Sequence, residues 1–168
     1  MSLSMHQLTT PVFVRQLRAL SAILKKGEAS AAARNIDPSV LINARLAPDM
    51  HPLSRQVQIA SDAVKGGVAR LAGVEPPSFP DVETTFDELQ ARIEKTIDFL
   101  SSVDAASLDG SETREIVLKI AGTEMRFPGE AYLLNFVTPN FFFHVTMAYA
   151  ILRHNGVDVG KRDFLGGV

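Results

Sequence analysis

Thr138-Pro139-Asn140-Phe141-Phe142-Phe143-His144-Val145-Thr146-Met147-Ala148-Tyr149-Ala150-Ile151-Leu152-Arg153-His154-Asn155-Gly156 is a nearly all-apolar run that opens on a capping pair and closes on Asn-Gly. It reads as a helix with Thr138-Pro139 at its start and Asn155-Gly156 as its stop. One polar pair interrupts it, Asn140 and His144. A residue four positions on lies about 40° around a helix axis and about 6 Å along it, so both side chains can point into one site. An amide and an imidazole inside such a helix need partners, which makes this the place to look for function. The run is apolar on more than one side, since Phe141, Phe142, Phe143, Val145, Met147, Ile151 and Leu152 cannot share one groove. Either this helix is central or one face meets a second subunit. A homodimer through the C-terminal helix is the preferred account, because cyclic pairs are the commonest soluble assembly.

Working outward, three more segments carry helical spacing. Thr10-Pro11 precedes Phe13, Leu17, Leu20 and Leu24, and Lys25-Lys26-Gly27 closes that stretch. Residues 28 to 36 either continue it or form a short second piece, and Asp37-Pro38 restarts the pattern through Leu46. His51-Pro52 opens a stripe of Leu53, Gln56, Val57, Ala60, Val64, Val68 and Leu71 that ends at Gly73. Residues 74 to 82 hold Pro76, Pro77 and Pro80 and form a crossing connection. Thr85 with Glu88 is a capping-box signature for a helix whose apolar face is Phe86, Leu89, Ile93, Ile97 and Leu100. From Ile116 to Ile120 the period switches to two, with Ala121-Gly122-Thr123 as a turn into Met125 and Phe127, and Gly129 to Phe136 reads as a short helical lead-in. Four amphipathic segments with mixed connections predict an all-α bundle of four helices with a small inserted β-hairpin.

The chain has 168 residues and 46% hydrophobic content, enough for one substantial core and short of two, so residues 1–168 read as a single domain. A formal charge of -2 with dispersed Lys and Arg offers no footprint for nucleic acid or an anionic membrane. The absence of cysteine removes disulfides, thiolate nucleophiles and sulfur-ligated metals. Apolar runs long enough to resemble membrane spans are interrupted by Arg15, Arg18 and Lys25 or by Asn140, His144 and Arg153. The N-terminus lacks a basic region followed by an apolar run, so the expected location is the cytoplasm. No Gly-x-Ser-x-Gly elbow, His-Glu-x-x-His, P-loop or dinucleotide fingerprint occurs, which leaves proton transfer or metal-assisted addition as the available chemistry.

The order of elements and three stretches carry a resemblance: Gln56-Val57-Gln58-Ile59-Ala60-Ser61-Asp62, the run from Pro139 to Gly156, and Gly160-Lys161-Arg162-Asp163-Phe164-Leu165-Gly166. Together they resemble an uncharacterised bacterial domain-of-unknown-function family within the DinB/YfiT-like superfamily, over essentially the whole chain. The resemblance implies a DinB-like, up-down-down-up four-helix bundle, commonly dimeric. Better-known superfamily members hold a divalent metal with one His of the second helix and a His-x-x-x-His pair on the last, and some transfer or isomerise thiol-linked substrates. Here Asn140 stands where the first His of that pair would be, and Gln56 or His51 stands for the second-helix ligand. A neutral amide oxygen is a poor ligand for zinc or nickel. The ligands left for a divalent metal (Zn or Ni) are His144 and His51.

Each candidate has two readings. His144 is a ligand or general base in a cavity facing Gln56 and Asn140, with Asp62 nearby, or it is a core histidine hydrogen-bonded to an amide. Asn140 lines that pocket or serves the orphan amides of the first turn. Asp62 orients His144, or it forms a solvated pair with Lys65 three residues on. His51 approaches the site or lies on the surface. His154 stands about 15 Å beyond His144 along the helix and cannot share its site. Three functions follow: a pocket of Gln56, Asn140, His144 and Asp62 that binds a small molecule or a weakly held metal; a non-catalytic structural or interaction protein that has lost the metal; and a metal-dependent transferase using His51 and His144.

Overall fold

The computed structural model describes residues 3–120 and 122–167. A short α1 (Met5–Leu8), capped by Ser4 and Gln7, leads into α2 (Thr10–Ala33). The long helix does not stop at Gly27, because the alanine-rich stretch to Ala33 consists of strong helix formers and continues it. α3 (Pro38–Ile42) is capped by Asp37, whose carboxylate accepts from the Ser39 amide at 2.9 Å. α4 (Leu53–Ala72) begins directly after Pro52. The proline-rich connection then crosses to α5 (Phe86–Ser102), where the Thr85 hydroxyl accepts from the Glu88 amide at 3.2 Å and the Glu88 carboxylate accepts from the Thr85 amide at 3.0 Å.

The chain next forms a 3-10 turn, Ala105–Leu108, and a two-stranded antiparallel sheet of β1 (Glu115–Ile120) and β2 (Thr123–Pro128). Ile116 pairs with Phe127 and Leu118 with Met125. Ala121, expected in the turn, lies outside the described residues, and Thr123 is already the first residue of β2.

The segment after the hairpin departs from expectation. α6 (Gly129–Tyr132), a π-helical turn (Leu133–Val137) and α7 (Thr138–His154) run on without a break. Thr138 is therefore no cap; its backbone is helical, as is that of Val137 before it. The reason lies in Pro139, which lacks an amide hydrogen and whose ring obstructs the ordinary i to i−4 ladder. A wider π turn placed just before it carries the helix past that position. After α7 a short α8 (Lys161–Phe164) follows.

The sequence stripes are the buried faces. Leu17, Leu20 and Leu24 of α2, Val57, Val64 and Val68 of α4, Leu89 and Ile93 of α5, and Phe141, Val145 and Ile151 of α7 are fully enclosed in one core. Each long helix packs on two others, α2 on α5 and α7, and α4 on α5 and α7. Named pairs give the register. Along α4 and the α6 to α7 segment, Gln56 meets His144 and Arg70 meets Tyr132. Along α2 and α7, Phe13 stands edge-on to Phe141 at 5.2 Å, and a Cβ at Gly27 would lie 3.0 Å from Leu152. Ser21 bonds Gln90 between α2 and α5, and Ser61 bonds Thr96 at 2.7 Å between α4 and α5. Among the described residues no helix is long and apolar enough to cross a membrane.

Candidate functional site

The site starts from the first turns of α4. Pro52 ends the preceding loop, and Gln56 falls on the buried stripe of the helix it opens. Its side-chain amide donates from Nε2 to the His51 carbonyl at 3.0 Å. That bond fixes which end of the amide faces the core, because a carbonyl can only accept. Oε1 therefore faces α7, where it lies 2.7 Å from Nδ1 of His144. An acceptor at that distance requires Nδ1 to carry the proton, so the neutral ring keeps its lone pair on Nε2.

His144 is 9% exposed, and burial lowers its pKa from 6.5 to about 4, with the positive charges of His51 and Arg55 adding to the effect. At neutral pH the ring is uncharged. A base so far below the working pH accepts protons poorly, and the chemistry open to Nε2 is acceptance of a hydrogen bond. The Phe143 ring stands edge-on to the imidazole, 5.2 Å between centroids.

Asn140 and Asp62 lie elsewhere. Both line a cleft of about 310 Å³ further along the same α4 to α7 interface, together with Arg70, Lys119, Tyr132 and Phe136. Asp62 does not orient His144: its Oδ1 is held by Lys65 at 2.8 Å and by Arg92 at 2.9 Å. Its pairing with Lys65 is solvated on one side only: the Asp62 side chain is 40% exposed, whereas the Lys65 side chain is 6% exposed and its ammonium sits 4.0 Å over the Phe79 ring. His51 is exposed and gives the site its carbonyl oxygen. His154 is exposed at the end of α7.

For a metal, the donor set does not fit. Nδ1 of His144 is committed to Gln56, Asn140 lines the separate cleft, and among the described residues no three His, Asp or Glu side chains cluster as ligands. One imidazole nitrogen without a cluster of further ligands holds a divalent ion weakly.

Two features escaped the sequence reading. The first is Arg92, 1% exposed in its side chain, which binds Asp62, Asp81 at 3.0 Å and Glu83 at 2.9 Å, pinning the proline-rich connection to α4 and α5. Its signal was present, an arginine three residues after Leu89 on the apolar stripe. The second is Tyr132, whose hydroxyl accepts from Arg70 at 3.3 Å. Burial pushes the Tyr132 phenol up, and the Arg70 charge opposes part of that.

Residues 5–165 match the family described as a domain of unknown function, DUF1993. Among solved structures the chain is similar to a DinB family member protein from Shewanella denitrificans, with 42% identity over 97% of this chain and 92% of that one, and a TM-score of 0.90. No curated protein matches.

Proposed function

The chain belongs to the DUF1993 family and shares its fold with a DinB family member, and from that premise we propose that it is a DinB-like, up-down-down-up four-helix bundle whose α4 to α7 interface binds a small polar molecule at His144. The register supports the topology: contacts advance together along α2 and α7 and run in opposite senses along α4 and α7.

One observation carries the binding reading. The chain from the His51 carbonyl through the Gln56 amide to Nδ1 locks the tautomer of a neutral imidazole and leaves Nε2 with a lone pair. Such locking is what orients a histidine toward something outside itself. The ligand it suits brings a hydrogen-bond donor, an alcohol or amide N–H, to Nε2. The homodimer through α7 belongs to the same proposal and is supported by Phe143, which is 51% exposed on the helix face away from the core.

A thermal-shift screen of polar small molecules against wild type and His144→Ala tests the reading. Compounds that raise the wild-type Tm and leave the variant unmoved are expected. If no compound shifts the wild type, and His144→Ala costs about 1–3 kcal/mol of stability by stranding the Gln56 amide, then the imidazole is a structural partner in a non-catalytic bundle.

A further inference from the structure

We propose that the cleft lined by Asp62, Arg70, Lys119, Tyr132, Phe136 and Asn140 is a binding site for a small aromatic carboxylate. It uses neither His144, Gln56 nor the His51 carbonyl, so it stands or falls apart from that reading.

The charge balance of the cleft comes first. Its one carboxylate, Asp62, is already bridged by Lys65 and Arg92. Arg70 has no acidic partner among the described residues, whereas Lys119 stands opposite Glu124 across the hairpin, so Arg70 is the cation left over in the cleft and favours an anion.

Position comes next. Arg70 is folded back along its own helix, where a Cβ at position 66 would stand 2.5 Å from its Nη1, so a side chain there has to push the guanidinium aside. The same Nη1 donates to the Tyr132 hydroxyl, which keeps its own proton to give. A planar guanidinium tethered to Tyr132 suits a carboxylate, and Asn140 lines the cleft from the opposite helix.

Shape then selects the body of the ligand. The half-buried Phe136 ring offers an aromatic surface, backed by the buried Tyr132 ring stacked on it at 5.8 Å with 17° between their planes. The volume of about 310 Å³ lies at the lower bound of ligand pockets and is ample for a single ring.

Benzoate is the probe, with benzamide as its uncharged counterpart and inorganic phosphate as an anion without a ring. Titration of the full-length protein followed by amide chemical shifts is expected to perturb Arg70, Lys119, Tyr132 and Asn140, with benzamide and phosphate each at least tenfold weaker. Arg70→Gln is expected to weaken benzoate by tenfold or more. Gly66→Ala separates binding from folding: alanine is the better helix former, so Tm should hold or rise, while the displaced guanidinium costs affinity by a similar factor. His144→Ala should leave benzoate binding unchanged. The proposal is overturned if wild type shows no saturable shift at tens of millimolar benzoate, if benzamide or phosphate binds as well, or if Gly66→Ala keeps full affinity.

Discussion

His144 sets how the molecule responds to acid. Folded, it titrates near 4, against 6.5 for an ordinary histidine. The unfolded chain therefore takes up a proton between those values and the folded chain does not, so stability is full above about 6.5, declines as pH falls toward 4, and levels off below. A difference of this size is worth on the order of 2 kcal/mol after allowance for partial solvent access. Urea midpoints of wild type and His144→Gln between pH 7.5 and 4 are expected to diverge, with the wild type losing more in acid. Parallel curves would mean that the ring is protonated in place. The pairing of the histidine with Gln56 could be anticipated from the apolar stripes, since both polar residues sit on faces that must be buried. Asn140 could not be separated from them, because spacing places two residues on one face without saying where the partner helix diverges to open a cleft.

The element that most shapes the interface is the π turn from Leu133 to Val137. It brings Val137 so close to α4 that a Cβ at Gly67 would stand 2.6 Å and 2.9 Å from its two methyl groups. A β-branched side chain has one strongly preferred rotamer in a helix and cannot swing aside. Gly67→Ala is therefore expected to destabilise the protein by about 1–3 kcal/mol through overpacking, despite the gain in helix propensity, and to show this in the thermal midpoint. An unchanged midpoint would show that α7 can shift away from α4. Of this element the sequence carried only a helical lead-in at residues 129 to 136 and a starting signal at Thr138-Pro139. That signal is ambiguous: a proline after a threonine opens many helices, and only the continuous backbone before it shows that here the helix passes through.

At the scale of the molecule, the four stripes, the capping box at Thr85 and the hairpin were legible because burial imposes periods of 3.6 and two on any chain that forms them. The ion cluster around Arg92 was not, because it depends on where the proline-rich connection lands, and residues without periodicity carry no register. The homodimer proposal is tested at this scale. With Phe143 half exposed, Phe143→Asp is expected to turn a dimer into a monomer in sedimentation without loss of helix content; a wild type that is already monomeric would remove the proposal.

Residues 155 to 165 are stitched onto α2: Lys26 pairs with Asp163 at 2.7 Å, Arg34 donates to the Asn155 carbonyl at 2.8 Å, and Gln16 donates to the Phe164 carbonyl at 3.1 Å. A nascent chain leaving the ribosome thus presents its first long helix well before the strap that secures it has been made. Locking of that helix must wait for residues 155 to 165 to emerge, so a chain released before them is expected to leave α2 unsecured and open to chaperones.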